Sequence, residues 1–354
     1  MPLSWLSNGE CSKMSDRTYK VGVVGVGAVG GEMVRILRAR QFPADEIRIL
    51  ARSAREEIID GQTYQVRPTT LEEMAGLDFA FFAGTEGEKG ASQLYGWDVA
   101  QQGTVVIDNG NDFRMDPRVP LVVPEVNADA LDAHQNFIAN PNCCTIVALM
   151  ALGPLHRAFG IDRMIVSTYQ SVSGSGSAAI RELDQQARDY SAGEPVSSSE
   201  YPHQILFNVI PQVGGLSKEM PAYTSEEAKM LFETRKILGD DQIRVSSTCV
   251  RVPVFYGHAE SINVSFKESA SPEDVRRVLD VAAGVTVVDN VDLFEYPMPI
   301  SAAHIDDTIV GRIRRDDTCE NGIALFVAGD NIRKGAALNA VQIAEAMITR
   351  GLLP

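Results

Sequence analysis

The chain has 354 residues, which is enough for two domains. Its 45% apolar and 22% charged residues are typical of a globular protein. The formal charge of −15 disfavours nucleic acids and membrane surfaces as partners, because both attract basic patches. No apolar run is long enough to cross a bilayer.

Strand and helix patterns alternate in the first part of the chain. β-Branched or aromatic runs predict strands at 21–26, 47–50, 79–83 and 104–107, and further strands at 122–126 and 137–139. Apolar residues at helical spacing predict a helix over Glu32–Arg40. The fold class expected from this alternation is α/β, with a doubly wound parallel sheet of Rossmann type.

The pattern changes after Arg163. Longer strands are predicted at 164–169, 243–252, 261–266 and 323–328, and helices at 178–190, 225–238 and 272–282. This pattern of strands and helices indicates an α+β domain with a mixed sheet. We therefore expect an extension over 1–19, a nucleotide-binding domain over 20–142 completed by a C-terminal helix at 335–354, and a second domain over 143–334.

A glycine-rich loop follows the first predicted strand. Gly25, Gly27 and Gly30, with Ala28 and Val29, form a G-x-G-x-x-G pattern between that strand and a helix. In this setting the glycines allow a tight turn, a close approach of the pyrophosphate and close helix packing. The loop predicts a dinucleotide cofactor.

The end of the second predicted strand helps to select the cofactor. NAD sites usually carry an acidic residue there for the ribose 2′-hydroxyl. This chain has Arg52 and Ser53 instead. A guanidinium pairs well with a 2′-phosphate, so we predict NADP (NADPH).

The cysteines point to a reduced compartment. There are five, without a CxxC pair or zinc-like spacing with histidine, so no metal site is predicted. Met1–Tyr19 carries no recognisable targeting signal, and a cytoplasmic location is expected.

Cys143 is the candidate nucleophile. It follows Asn140-Pro141-Asn142 where an apolar helix is expected to begin, and a helix N-terminus stabilises a thiolate. Cys144 is predicted to point elsewhere and to act as a small buried residue. His258, after a Tyr-Gly turn and seven residues beyond Arg251, is the best acid/base candidate.

These residues and their surroundings resemble the aspartate-semialdehyde dehydrogenase family from about Lys20 to Met347. The matching stretches are VIDN at 106–109, FRM at 113–115, VPEVN at 123–127, NPNCCTI at 140–146, STYQSVSG at 167–174, FNVIPQ at 207–212, ETRK at 233–236, CVRVPVFYGH at 249–258 and DNIRKGAA at 330–337.

The resemblance implies a role for each matching residue. Cys143 would be the nucleophile, Gln170 would orient the covalent intermediate and His258 would move the proton. Arg251 would bind the substrate carboxylate and Glu233 its ammonium group. Phosphate would be held by Arg114, Lys236 and Asn142. Further cofactor contacts are implied at Gly84, Ser173, Gly174 and Asn331.

The implied reaction is the NADPH-dependent reductive dephosphorylation of 4-phospho-L-aspartate to L-aspartate 4-semialdehyde, through a thioester on Cys143. This step belongs to lysine, threonine and methionine biosynthesis. The implied partners are these small molecules and phosphate, and a homodimer or homotetramer is expected. The chain departs from the family pattern in a glycine loop and an adenosine loop that are each one residue shorter, and in Cys144, where serine or threonine is usual.

Two alternatives remain. An N-acetyl-glutamyl-phosphate reductase shares the cysteine and the acyl-phosphate chemistry, but its acetylated substrate has no ammonium group for Glu233 to bind. A non-catalytic paralogue would be expected to have lost the nucleophile or the acid/base group.

Overall fold

The computed structural model describes residues 17–84 and 87–353. The predicted extension over 1–19 lies almost wholly outside the described residues. The chain divides into two compact units, one formed by 1–142 with 336–354 and the other by 143–335.

The first unit is built on a seven-stranded sheet in the order β3-β4-β2-β1-β5-β6-β7. Its strands are β1 Tyr19–Val24, β2 Ala44–Ala51, β3 Arg55–Ile59, β4 Gln62–Pro68, β5 Phe79–Phe82, β6 Val105–Asp108 and β7 Phe137–Ala139. Its helices in this part of the chain are α1 Ala28–Ala39, α2 Leu71–Met74, α3 Trp97–Gln101 and α4 Pro124–Asn127. All strand pairs are parallel except β3 with β4.

The second unit is built on a six-stranded mixed sheet in the order β11-β12-β13-β10-β8-β9. Its strands are β8 Ile161–Gln170, β9 Arg244–Arg251, β10 His258–Phe266, β11 Val285–Val287, β12 Thr308–Arg315 and β13 Gly322–Gly329. Its helices are α5 Cys143–Phe159, α6 Ser177–Ala192, α7 Ser225–Leu238, α8 Pro272–Asp280 and α9 Pro299–Ala302.

The last helix, α10 Leu338–Arg350, returns to the first unit. Its apolar face, including Val341 and Ile343, joins the buried cluster formed with the apolar residues of α1 and the parallel strands. Burying this stripe is the main source of its stability, because an isolated helix of this length is marginal in water.

The predicted fold class is confirmed, with one local error. The strand predicted at 122–126 is wrong, because α4 begins at Pro124. Proline fits the first turn of a helix, where its missing N–H costs nothing. Val122 and Val123 are fully buried, which explains why the run looks like a strand. Within residues 17–84 and 87–353, no helix is long and apolar enough to span a membrane.

Candidate active site

The nucleophile candidate stands at a helix N-terminus. Helix α5 begins at Cys143, directly after Asn142. In the first unit, the side chain of Asn140 anchors the approach to this point. Its amide donates to Asn109 Oδ1 at 2.9 Å, and its oxygen accepts from Asn339 Nδ2 at 2.7 Å. A thiol at the start of α5 experiences the positive end of the helix dipole.

Three reactive groups converge at this helix start. One ligand atom each from Cys143, Cys144 and His258 lies within 4.8 Å of the other two. The pKa of the Cys143 thiol is well below its usual value, first because Cys144 donates a hydrogen bond to it and then because of the charge and hydrogen bond of His258. The site therefore favours the thiolate of Cys143, the form that attacks carbonyl carbon.

The prediction that Cys144 points away from the nucleophile is wrong. It is fully buried, and its thiol hydrogen-bonds to that of Cys143. Hydrogen bonds to sulfur are long, so two thiols that leave the helix in different directions still reach each other. Burial raises the pKa of Cys144 well above its usual range, so this thiol keeps its proton and acts as a donor.

A buried network holds the ring of His258. The residue is fully buried at the start of β10, and its Nδ1 accepts from the backbone N–H of Ser171 at 3.1 Å. Ser171 Oγ lies at 3.1 Å from the same nitrogen. Because Nδ1 accepts a hydrogen bond, the proton of the neutral ring resides on Nε2.

Asn331 organises the other end of this network. Its Oδ1 accepts from Ser171 Oγ, Ser173 Oγ and the Gly257 backbone N–H, each at 3.1 Å. Ser173 and Asn331 are both buried, at 4% and 3% exposure. The cofactor contacts predicted for Ser173 and Asn331 remain predictions. In this structure the two side chains belong to the hydrogen-bond network that holds the His258 ring.

Arg251 and Gln170 lie side by side at the ends of two neighbouring strands. Arg251 ends β9 and donates from Nη1 to the Ser171 carbonyl at 2.7 Å. Gln170 ends β8, accepts from Thr168 Oγ1 at 3.1 Å and donates from Nε2 to Glu226 at 3.2 Å. These two strands are parallel, and Gln170 pairs with Arg251 in register.

Gly174 marks a close approach at the same place. A Cβ built there would lie 3.0 Å from Arg251 Nη1 and 3.1 Å from both Cε1 and Nε2 of His258. The glycine thus lets the backbone touch both functional side chains.

Helix α7 contributes the candidate substrate-binding charges. Glu233 is only 1% exposed and Lys236, one turn later, is half-buried. The helix has the predicted bounds because both ends carry local signals, a capping box between Thr224 and Glu227 and a left-handed Gly239.

The remaining candidates lie in the first unit. Arg114 and Asn142 are both buried, and Arg114 Nη2 donates to the Asn109 carbonyl at 2.7 Å. Arg52 and Ser53 are exposed at the end of β2, and Arg55 forms an ion pair with Glu57 at 3.0 Å.

The glycine loop fits a dinucleotide. Gly25 has φ +103°, and a Cβ at Gly30 would lie 1.9 Å from the Gly25 carbonyl oxygen. Gly84 lies beside it, its Cα 3.0 Å from where a Gly25 Cβ would be. Helix α1 starts after Gly27 without a side-chain cap, and nothing lies within 4 Å of a Cβ built on that glycine. Ala28 and Val29 form the first turn, whose backbone N–H groups can bind phosphate.

Sequence reasoning missed three buried groups. Ser171 contacts His258, and Glu226 contacts Gln170. Glu260 follows His258 by two residues on the same strand. None of the three leaves a local signal, because the strand that carries Glu260 contains four other polar residues.

Known proteins match the chain over nearly its whole length. The family model described as "Semialdehyde dehydrogenase, NAD binding domain" matches residues 20–134, and "Semialdehyde dehydrogenase, dimerisation domain" matches residues 152–334. An aspartate-semialdehyde dehydrogenase of Aquifex aeolicus is 46% identical over 346 residues, covering 95% of this chain and 99% of that protein. The chain belongs to the aspartate-semialdehyde dehydrogenase family.

Further relatives agree with this membership. An aspartate-semialdehyde dehydrogenase of Bacillus subtilis is 41% identical, covering 94% of this chain and 98% of the relative. The crystal structure of aspartate semialdehyde dehydrogenase II of Vibrio cholerae, complexed with ASA, has a TM-score of 0.87 at 41% identity and covers 94% of this chain and 99% of that one. The chain is thus an oxidoreductase of this family with an NAD(P)-binding domain.

Proposed function

We propose that this protein catalyses the reversible NADPH-dependent reductive dephosphorylation of 4-phospho-L-aspartate to L-aspartate 4-semialdehyde, through a thioester on Cys143. The observation that carries the proposal is the Cys143 thiolate at the start of α5, within 4.8 Å of His258. Both the nucleophile and its acid/base partner are present and adjacent, which disfavours a non-catalytic paralogue.

The first step is acyl transfer. Cys143 Sγ attacks the C4 carbonyl carbon, a C–S bond forms, and the bond to the phosphate oxygen breaks to release phosphate. The backbone N–H groups of the first turn of α5 point towards the N-terminal end of the helix, where they can stabilise the negative oxygen that develops. Gln170, held between Thr168 and Glu226, is fixed in position to orient the thioester.

The second step is reduction and release. When bound, NADPH would supply the hydride that reduces the thioester carbonyl. The C–S bond then breaks, and Cys143 leaves as the thiolate that the site already stabilises. Because Nδ1 of His258 accepts from Ser171, Nε2 is the nitrogen that can exchange a proton with the reacting groups. The protonated ring would give a proton to the oxyanion formed by hydride addition, and the neutral ring would take it back as the C=O bond forms and the C–S bond breaks.

The substrate head group requires opposite charges. Arg251 is proposed to bind the α-carboxylate and the buried Glu233 the ammonium group, while Lys236, Arg114 and Asn142 hold phosphate. A carboxylate as buried as Glu233 suits a free amine better than an N-acetyl group. The N-acetyl-glutamyl-phosphate alternative is also disfavoured by the relatives' names.

The preference for NADP is proposed from Arg52 and Ser53. Both are exposed at the end of β2, and no acidic residue stands at these two positions. In this setting a guanidinium and a hydroxyl are suited to a 2′-phosphate.

A homodimer through the second unit is proposed from its open sheet surface. Alternate residues of β8, including Ile165 at 37% and Tyr169 at 38% exposure, point away from the buried face. Tyr169 stacks on Phe326 of β13 with ring centroids 6.0 Å apart. Light scattering of the wild type should give twice the chain mass, and Ile165→Lys should weaken association. A wild-type monomer would contradict the proposal.

The reaction is tested by phosphate-dependent NADP reduction with L-aspartate 4-semialdehyde. Cys143→Ala should abolish activity, whereas Cys319→Ala, at a half-buried thiol outside the site, should not. Incubation with 4-phospho-L-aspartate without NADPH should leave an aspartyl group on Cys143, seen by peptide mass spectrometry. Activity that survives Cys143→Ala refutes the covalent route, and activity only with the N-acetyl-glutamate analogue changes the substrate.

A further inference from the structure

A buried carboxyl group near the nucleophile has no part in the mechanism above. Glu260 is fully buried on β10, two residues after His258 and therefore on the same face of the strand. Among the described residues, neither of its carboxyl oxygens accepts a hydrogen bond. An ionised carboxylate in this position would lack compensation, so burial raises the pKa of Glu260 well above its usual range and keeps it neutral.

Cys144 connects this acid to the nucleophile. Its fully buried thiol lies within 4.8 Å of the reactive atoms of Cys143 and His258, and it also neighbours the Glu260 carboxyl. The thiolate of Cys143 can only accept a hydrogen bond, so the single S–H proton of Cys144 must point to it. The Cys144 sulfur then has only acceptor capacity left for Glu260, and a protonated carboxyl can supply the donor.

We propose that Glu260 and Cys144 form a donor chain that positions and stabilises the Cys143 thiolate: the neutral Glu260 donates to the Cys144 sulfur, and Cys144 donates to Cys143. Both are positioning residues, and their contribution to turnover depends on the proposed nucleophilic role of Cys143. Here Cys144 takes the place of the serine or threonine that is usual in the family.

The other groups facing this chain are accounted for. His258 on β10 stabilises the thiolate, and Glu226 on α7 opposes it. Cys249 on β9 also faces Cys144, but burial raises its pKa and keeps it neutral. The donor chain therefore adds to the effect of His258, and it does not depend on the protonation state of that ring.

The test measures the thiolate directly, without substrate or cofactor. The rate of Cys143 alkylation by iodoacetamide is followed against pH, with the modified peptide resolved by mass spectrometry in a Cys319→Ser background. Loss of one hydrogen bond to a charged group in Cys144→Ala should raise the apparent pKa of Cys143 by about one unit. Cys144→Ser supplies a hydroxyl donor and should restore the wild-type value or lower it further.

The role of Glu260 is tested with two substitutions and with a double variant. Glu260→Gln keeps a neutral donor and should leave the alkylation profile close to wild type, whereas Glu260→Met should shift it in the same direction as Cys144→Ala. The shifts of Glu260→Met and Cys144→Ala should not add in the double variant, because both break the same chain.

Two results would overturn the inference. An unchanged pKa of Cys143 in Cys144→Ala would show that the thiol is not a donor. A lowered pKa of Cys143 in Glu260→Gln would show that Glu260 is ionised in the wild type. If the Glu260 variants do not fold, the Cys144 pair alone decides. Activity remaining in Cys143→Ala would instead contradict the proposed function and leave these alkylation results valid.

Discussion

Substituting Gly174 by alanine adds a single methyl group beside the two residues that the proposed reaction needs most. The new Cβ would lie 3.0 Å from Arg251 Nη1 and 3.1 Å from the His258 ring, where ordinary contacts are 3.4–4 Å. Neither neighbour can yield freely. Nδ1 of His258 is held by Ser171, and Arg251 is bonded to the Ser171 carbonyl at 2.7 Å.

The expected displacement is a few tenths of an ångström. A misplacement of about 1 Å costs on the order of 100-fold in rate, so this smaller shift should lower kcat/KM about tenfold. Movement of His258 should lower kcat, and movement of Arg251 should raise the KM for L-aspartate 4-semialdehyde. The loss should persist at saturating NADP, because the displaced groups act on the substrate and on Cys143.

Steady-state kinetics with a thermal unfolding curve provide the assay. Gly215→Ala is the matched control, because nothing lies within 4 Å of a Cβ at that glycine, and it should keep wild-type kinetics. Wild-type kcat/KM in a stably folded Gly174→Ala protein would refute the reasoning, since it would mean that His258 and Arg251 need not hold their observed positions.

Substitutions at four further positions test other parts of the structure. Asn331→Ala leaves three donors without their shared acceptor, so it should lower kcat and reduce the free energy of unfolding by about 1–3 kcal/mol. Asn331→Asp keeps an oxygen acceptor and should retain more of the kcat and of the stability. Equal effects in kinetics and chemical unfolding would argue against this network. Glu226→Gln removes a charge that raises the pKa of Cys143, but it keeps an oxygen that can accept from Gln170. The pH profile of Cys143 alkylation should therefore move to lower pH, and a shift to higher pH would contradict this. Burial raises the pKa of Asp108 to about 6, so the folded state binds the carboxyl proton more tightly than the unfolded chain does. Protonation of Asp108 therefore stabilises the folded state, fully below about pH 4, and this stabilisation is lost as the pH rises through 6. The difference of about two pKa units corresponds to about 3 kcal/mol. Asp108→Asn should abolish this dependence in unfolding measured across the range, and an unchanged dependence would exclude Asp108 as its source. Arg52→Glu should raise the KM for NADPH about tenfold or more and leave that for NADH unchanged or lower, and equal effects on both would remove Arg52 from the 2′-phosphate site.

Local signals account for the parts of the fold that the sequence predicts well. The glycine loop and α1 are adjacent in the chain, and α7 carries its own capping box and terminal glycine. The predicted strands of the first sheet are short apolar runs, and those of the second sheet are longer runs rich in β-branched residues. Strands β3, β4, β11 and β12 were not predicted. β11 is only three residues long, and charged residues or a glycine interrupt the patterns of the other three.

The sequence by itself determined the family, the nucleophile candidate Cys143 and its partner His258, because these occur in continuous motifs with a physical reason for each residue. Only the tertiary structure decided how those residues are supported. The network around His258 combines separate segments that meet at the ends of neighbouring strands, and it includes Ser171, Gly257 and Asn331. The role proposed for Glu260 likewise depends on its burial near Cys144. Hydrogen bonds between segments that are distant in the chain leave no periodic pattern to read. The role of Cys144 changed for the same reason, since the direction of a thiol proton depends on the groups that surround it.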